Sequence, residues 1–307
     1  MAANGAPGGD GTAGRDGLAI FTISYAGDLP LCRALCASID RLMPKVTHYL
    51  AVDRADRALF AELAAPNRVF LATEDFAPEL RPVSLGRRRL WLNPFGPPVR
   101  GWIFQQFVKL AAVARLPHEA VTIIDSDAVF VRPLERARLI RDGRVRLYRI
   151  PGGGRSPEHV RWHAVARAML GLPGEGYTGA DYISTAVTWR PEVVRALIAR
   201  MNRVGWLPWR TALSWRLRFS EYVLYGVFAE HVAGPHRDLV FHDATDICHC
   251  SWHYDIGVES DRHAFVAGLR PDHAAVLIQS NLRLPQEARE RLMRGLLAAS
   301  GAREGSA

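Results

Sequence analysis

Two carboxylates one residue apart, Asp125 and Asp127, close the apolar run Val121-Thr122-Ile123-Ile124, and no other stretch of the chain is better placed for chemistry. A strand buried on both faces reads as a short continuous apolar run, and open α/β sheets bind ligands just beyond the carboxyl ends of such strands. Residues i and i+2 of extended backbone face the same side. A slight bend past the strand therefore lets both carboxylates converge on one divalent cation, Mn²⁺ or Mg²⁺. The commonest partner for a cation held in this way is a diphosphate.

The surrounding pattern is one that positions such a motif. Leu18 to Ser24 reads as a strand and Leu31 to Arg41 as a helix, with Leu31, Leu35 and Ile39 on one face. Thr47 to Val52 is a second strand, Asp56 to Ala64 a helix and Arg68 to Ala72 a third strand. This alternation predicts an α/β fold with a mostly parallel sheet flanked by helices. Pro82 to Arg100, rich in Arg, Pro and Gly, predicts a loop over the sheet edge, and Trp102 to Leu116 a helix leading into the motif strand. Beyond Pro133 a Gly-rich loop at Pro151 to Gly154 precedes a helix at Glu158 to Leu170. Tyr182 to Trp189 is β-rich, Pro191 to Arg203 and Phe219 to His231 are helical, and Ala274 to Ile278 is a last strand. The expected organisation is a single domain over residues 18–297, with a first half to about 135 that carries the motif and a second half from about 136. Residues 1–17 and 298–307, mostly small and polar, are expected as tails.

Composition narrows the function classes. The net charge is +8, yet only Lys45 and Lys109 are lysines, and the arginines are spread along the whole chain. Nothing resembles the clustered basic footprint of a nucleic-acid-binding protein, whereas an anionic substrate or a membrane-surface acceptor suits the charge. No apolar run approaches the roughly 18 residues of a membrane span, and the N-terminus lacks a signal-peptide core, so a cytoplasmic location is expected by default. Cys32 and Cys36, and Cys248 and Cys250, lack zinc-ribbon spacing and are expected as free thiols of a reducing compartment.

At Asp125-Ser126-Asp127 the chain resembles GT-A-type glycosyltransferases, whose nucleotide-sugar domain carries an Asp-X-Asp motif after a central strand. It is most similar to a poorly characterised group of bacterial GT-A-like proteins. That likeness rests on Gly101-Trp102 with Gln105-Gln106 and Lys109, on Tyr182 to Arg190, on Ser220-Glu221-Tyr222 and on Ile278-Gln279-Ser280, together spanning roughly Leu18 to Ser280. The resemblance implies sugar transfer from a nucleotide-diphosphate donor to a glycan, lipid-linked or small-molecule acceptor, with the first half of the domain as donor half and the second as acceptor half. It implies that Asp127 ligates the metal, while Asp125 meets the metal through water or contacts the donor ribose, with Ser126 on the donor.

Further candidates follow by position. Ser24 and Tyr25 end the first strand and can frame the nucleobase, and Asp53 ends the second, where related folds hold base or ribose. Each is also an ordinary turn or packing residue. Gln105 or Gln106 shares a helical face with Lys109, an isolated cation in an apolar helix suited to a phosphate or sugar. Glu221 is a general base for the acceptor hydroxyl or a first-turn acid favoured by the helix dipole, and Asp181 is its rival as base. His249 falls where several GT-A families supply a late metal ligand, with His253 and His242 as alternatives. Gln279 and Ser280 end the last strand at the sheet rim. Trp206, Trp209 and Trp215 either favour an anionic or lipid-linked acceptor or pack a helix hairpin.

Two other functions compete. In a haloacid-dehalogenase-type phosphatase an Asp-X-Asp also follows an apolar strand, but on the first core strand, whereas about a hundred residues precede the motif here. The other is a non-catalytic glycan or nucleotide-sugar binding protein on the same fold.

Overall fold

The computed structural model describes residues 17–301 apart from 86, 87, 217, 281 and 283. The expected tails lie largely outside the described residues, although the last helix runs to Ala299. In chain order the first elements are β1 (Leu18–Ile23), α1 (Leu29–Leu42), β2 (Thr47–Val52), β3 (Arg68–Ala72), β4 (Arg81–Leu85), β5 (Arg88–Leu92), β6 (Val99–Arg100), α2 (Gly101–Val113), β7 (Ala120–Ile124) and β8 (Ala128–Phe130). There follow α3 (Arg136–Leu139), β9 (Ile140–Arg141), β10 (Arg144–Tyr148), β11 (Ile150–Pro151), α4 (Pro157–Leu170), β12 (Ala180–Asp181), β13 (Ala186–Trp189), α5 (Pro191–Val204), α6 (Trp209–Ser214) and α7 (Glu221–His231). The last are β14 (Val240–Asp243), β15 (Cys248–Cys250), α8 (Glu259–Ala267), β16 (Ala275–Leu277) and α9 (Gln286–Ala299).

The central sheet has the order β13-β7-β1-β2-β3, parallel except for the antiparallel edge strand β13. Both of its faces are buried. Ala19 and Phe21 of β1 join a core built with α2, α5 and α7, while Leu18 and Ile20 join Leu35 and Ile39 of α1 on the other face. This two-sided burial explains why β1 and β7 read as unbroken apolar runs. Each fully buried large apolar side chain contributes about 1.5–3 kcal/mol, so register errors in these strands are strongly disfavoured.

Three local expectations are corrected. Asp56 to Ala64 forms no α-helix but two short 3₁₀ turns, Arg54–Asp56 and Leu59–Leu63. Phe60 and Leu63, three residues apart, stack on one side of such a turn and pack with Cys32 and Cys36 of α1. Pro82 to Arg100 is mostly no loop: β4, β5 and β6 make an antiparallel sheet. Pro82 lies in the outer strand β4, where a missing N–H disrupts least, opposite Trp91. Within Tyr182 to Trp189 only Ala186–Trp189 pairs with β7, which leaves residues 182–185 outside the ladder.

A small second sheet, β15-β16-β8, sets up the site. β16 runs antiparallel to β8 with Leu277 opposite Ala128. The segment leaving β16 therefore passes the residues that enter β8, Asp125 to Asp127.

Candidate functional site

The carboxyl ends of β1 and β7 and the N-terminus of α7 enclose a cavity of about 330 Å³. Asp125, Ser126 and Asp127 line one side, and Glu221 and Tyr222 of α7 another. Gln105 and Lys109 enter from α2, and Ser184 and Thr185 from the unpaired segment before β13. α2 is apolar around most of its surface, with Lys109 and Gln106 buried among Phe104, Phe107 and Val108. A buried cation in such a helix requires partners.

Lys109 has three. Its Nζ donates to Tyr222 Oη at 2.8 Å, lies 3.1 Å from Glu221 Oε1 and reaches Asp125 Oδ1 at 3.4 Å. Burial alone would lower the ammonium pKa, but Asp125, Tyr222 and Glu221 more than offset it and hold the group well above its ordinary range. Glu221 is itself only 3% exposed. Burial pushes its carboxyl up, opposed mainly by Lys109. Its backbone N–H donates to Gln106 Oε1 at 3.0 Å, and Ser220 caps α7 by accepting from the Val223 N–H. Gln105 and Lys109 thus face the cavity, whereas Gln106 fixes the start of the helix that carries Glu221.

Asp125 and Asp127 are both half-buried, the Asp125 side chain being 48% exposed. Burial, followed by the neighbouring Asp125 charge, raises the Asp127 carboxyl to about 6, although the Ser280 N–H donates to its Oδ2 at 2.8 Å. Asp28 was not singled out in the sequence. It accepts from Ser126 Oγ at 3.2 Å, lines the same cavity and is likewise raised by burial. Its only signal is an acid in the turn between β1 and α1. Arg289 of α9 donates to the carbonyls of Ile278 and Gln279, at 2.6 and 2.9 Å, and so holds the segment that aims the Ser280 N–H at Asp127.

A second cavity of about 490 Å³ adjoins the first and shares Ile23, Trp102 and Gln105 with it. Ser24, Tyr25 and Asp53 line it, together with Thr73 and with Arg89 and Trp91 of β5. Asp53 accepts from Thr73 Oγ1 and from the Arg89 guanidinium; burial is the larger influence and leaves its carboxyl raised. The β4–β5 hairpin therefore supplies a wall of this site. Trp102 and Trp252, both substantially exposed, stand with Trp162 around the first cavity.

Three candidates do not join this cluster. The buried ring of His249 stacks between Phe265 and His273, and its Nε2 bonds the Phe265 carbonyl at 2.7 Å, so its hydrogen-bonding and packing go to the core. The alternatives fare no better: His242 faces Glu230 at 3.8 Å, and neither it nor His253 lines the cavity. Asp181 accepts from the Ile183 N–H and faces His159 at 3.6 Å, also off the cavity lining. Gln279 contributes backbone only, its N–H bonding Ser251 Oγ and its carbonyl Arg289.

Among the described residues no three His, Cys, Asp or Glu side chains are arranged to hold a metal by themselves. The donor set that is present, Asp127 with Asp125, consists of hard carboxylate oxygens. It fits Mg²⁺ or Mn²⁺ sites that take one or two carboxylates and complete the shell with substrate phosphates and water. Among the described residues no helix is long and apolar enough to cross a membrane.

The chain is similar in structure to mouse xyloside xylosyltransferase 1 in its apo form, with 14% identity, a TM-score of 0.47, and coverage of 87% of this chain and 99% of that one. It is also similar to the galactosyltransferase LgtC in complex with donor and acceptor sugar analogs, with 12% identity, a TM-score of 0.44, and coverage of 91% and 95%. No curated protein matches the sequence. The model of DUF6492, a family of unknown function, matches residues 18–295, and the chain belongs to that family.

Proposed function

We propose that this protein transfers a sugar from a nucleotide-diphosphate donor to an acceptor hydroxyl. The observation that carries the reading is the meeting of Asp125, Asp127 and the buried Glu221 on one cavity, beside a second cavity bounded by Tyr25 and Asp53. The base and ribose occupy the second cavity, and the diphosphate and sugar the first. Bound at Asp127, a divalent cation supplies charge stabilisation for the departing diphosphate. Asp125, already paired with Lys109, takes the less direct role toward that cation or the ribose. Burial raises the basicity of Glu221, which suits it to accept the acceptor proton, while Lys109 and Gln106 hold it in place. The exposed faces of Trp102 and Trp252 offer apolar platforms at the rim for a sugar ring. A phosphatase of the haloacid-dehalogenase type is disfavoured, because the motif follows β7, the fourth strand of the central sheet in chain order.

The test is calorimetric titration of nucleotide diphosphates and nucleotide sugars, with and without Mn²⁺, against wild type and Asp127→Ala. One nucleotide class should bind in a metal-dependent way, lose affinity with the substitution, and be hydrolysed slowly as a sugar nucleotide. A folded protein that binds none of them, or that cleaves generic phosphomonoesters, overturns the assignment.

A further inference from the structure

The three tryptophans between Val204 and Arg218 divide in the structure. Trp209 is buried edge-on against Phe107, whereas Trp206 is 94% and Trp215 61% exposed. The two exposed rings flank one hollow of about 300 Å³, whose other walls include Met169, Val204 and Leu207. Trp215 Nε1 donates to the Phe95 carbonyl at 3.2 Å, and this brings Phe95, 69% exposed, to the same face from the β5–β6 connection. Three large aromatic rings thus stand outside the core at one place. Clusters of this kind mark interaction surfaces, unlike apolar residues scattered singly.

The two chain segments that carry them hold charge of one sign. No Asp or Glu occurs between Glu192 and Glu221, a stretch holding six arginines, and none between Glu79 and Glu119, the stretch that carries Phe95. Glu79, at the border, is engaged by Arg210. Arg203 and Arg216 are exposed beside Val204 and Trp215, and Arg218 lies nearby in the chain. Tryptophan and arginine next to each other, without acids, suit a surface that is apolar at depth and anionic at its boundary.

We propose that this face docks the protein on an anionic lipid bilayer, with Trp206, Trp215 and Phe95 entering the headgroup region and Arg203 and Arg216 pairing with lipid phosphates. The inference does not depend on the sugar-transfer reading. It assigns a surface in which no residue lines either cavity of the candidate site. Trp215 nevertheless lies only six residues before Glu221, so docking brings the cavity close to the bilayer.

The experiment is co-sedimentation of the full chain with phosphatidylcholine vesicles and with mixed phosphatidylcholine–phosphatidylglycerol vesicles. The wild type, Trp206→Ser/Trp215→Ser and Arg203→Gln/Arg216→Gln are compared. The wild type should pellet with the anionic vesicles and not with the neutral ones, and added salt should weaken it. The arginine pair should lower partitioning by about 30-fold, and the tryptophan pair should abolish it. Circular dichroism and melting of each variant establish that it is folded, which is expected because the altered side chains are exposed. Absence of wild-type binding to anionic vesicles, or equal binding by folded variants, overturns the proposal. So does concentration-dependent self-association in sedimentation velocity that the tryptophan pair removes without any vesicle binding, since the face is then a protein interface.

Discussion

Asp127→Asn should stabilise the metal-free protein while destroying the metal-dependent nucleotide binding proposed for it. Burial and the Asp125 charge move the Asp127 carboxyl from the ordinary 3.8 to about 6. That displacement corresponds to about 3 kcal/mol carried against folding once the group is ionised. Asparagine removes the charge and still accepts the Ser280 N–H, whose favourable effect on the carboxylate is already contained in that displacement. The gain is about 3 kcal/mol, or about 5 °C in Tm for a chain of this size at about 2.1 cal/mol/K of unfolding entropy per residue. The pH dependence has a definite sign. Because the folded pKa lies above the unfolded one, this group favours folding below about pH 4, and the benefit is lost as pH rises through about 6. The gap between variant and wild type should therefore be full at pH 7.5, fall to roughly half by pH 5, and close further in acid. Thermal melts in EDTA across this range measure it. Repeating them with Mn²⁺ and nucleotide should raise the wild type and leave the variant unmoved. A variant no more stable than wild type at pH 7.5, or a gap that does not change with pH, would refute the picture of an ionised Asp127 without adequate compensation.

Glu221→Gln should cut turnover by at least about 100-fold with little change in nucleotide affinity, while Asp181→Asn stays near wild type; equal losses in steady-state assays would sink the assignment of the base. Lys109→Met leaves Glu221 buried without its cation and should cost about 3–5 kcal/mol in urea unfolding, and adding Glu221→Gln should recover much of that loss. Gly226→Ala would place a Cβ 2.2 Å from Tyr182 Cγ, so despite alanine's better helix propensity the urea midpoint should drop by an amount equivalent to about 1–3 kcal/mol.

The parts of the fold most visible in the sequence are those in which one physical requirement dominates. β2 and β3 begin and end where their strand-like patterns do, and β7 stops just before its two acids, because its own burial on both faces leaves little room for another reading. The β4–β5 hairpin was hidden because Pro82 and the arginines dominate its composition, while its pairing depends on an exposed edge that tolerates them. Within the site, Asp125, Asp127, Lys109 and Glu221 carry local signals: acids after a strand, a cation in an apolar helix, an acid after a serine cap. Asp28 carries only that of an acid in a turn, and Ser184 and Thr185 carry none, since they enter the cavity through strand order and an unpaired segment. His249 differs in a related way: its expected role rests on the resemblance, through its late place in the chain, whereas the aromatic stack with Phe265 and His273 that holds it comes from residues with no local link to it.

The contact from the Ser280 N–H to Asp127 spans 153 residues. While the chain is being synthesised, the motif strand can leave the ribosome and pair long before the segment that completes its site exists. Early intermediates therefore hold Asp127 without the Ser280 N–H, although Lys109 is already present for Asp125, and the later segment held by Arg289 completes the contact. A shortened product that lacks α9 therefore carries the motif without the residue that holds its long-range partner in place.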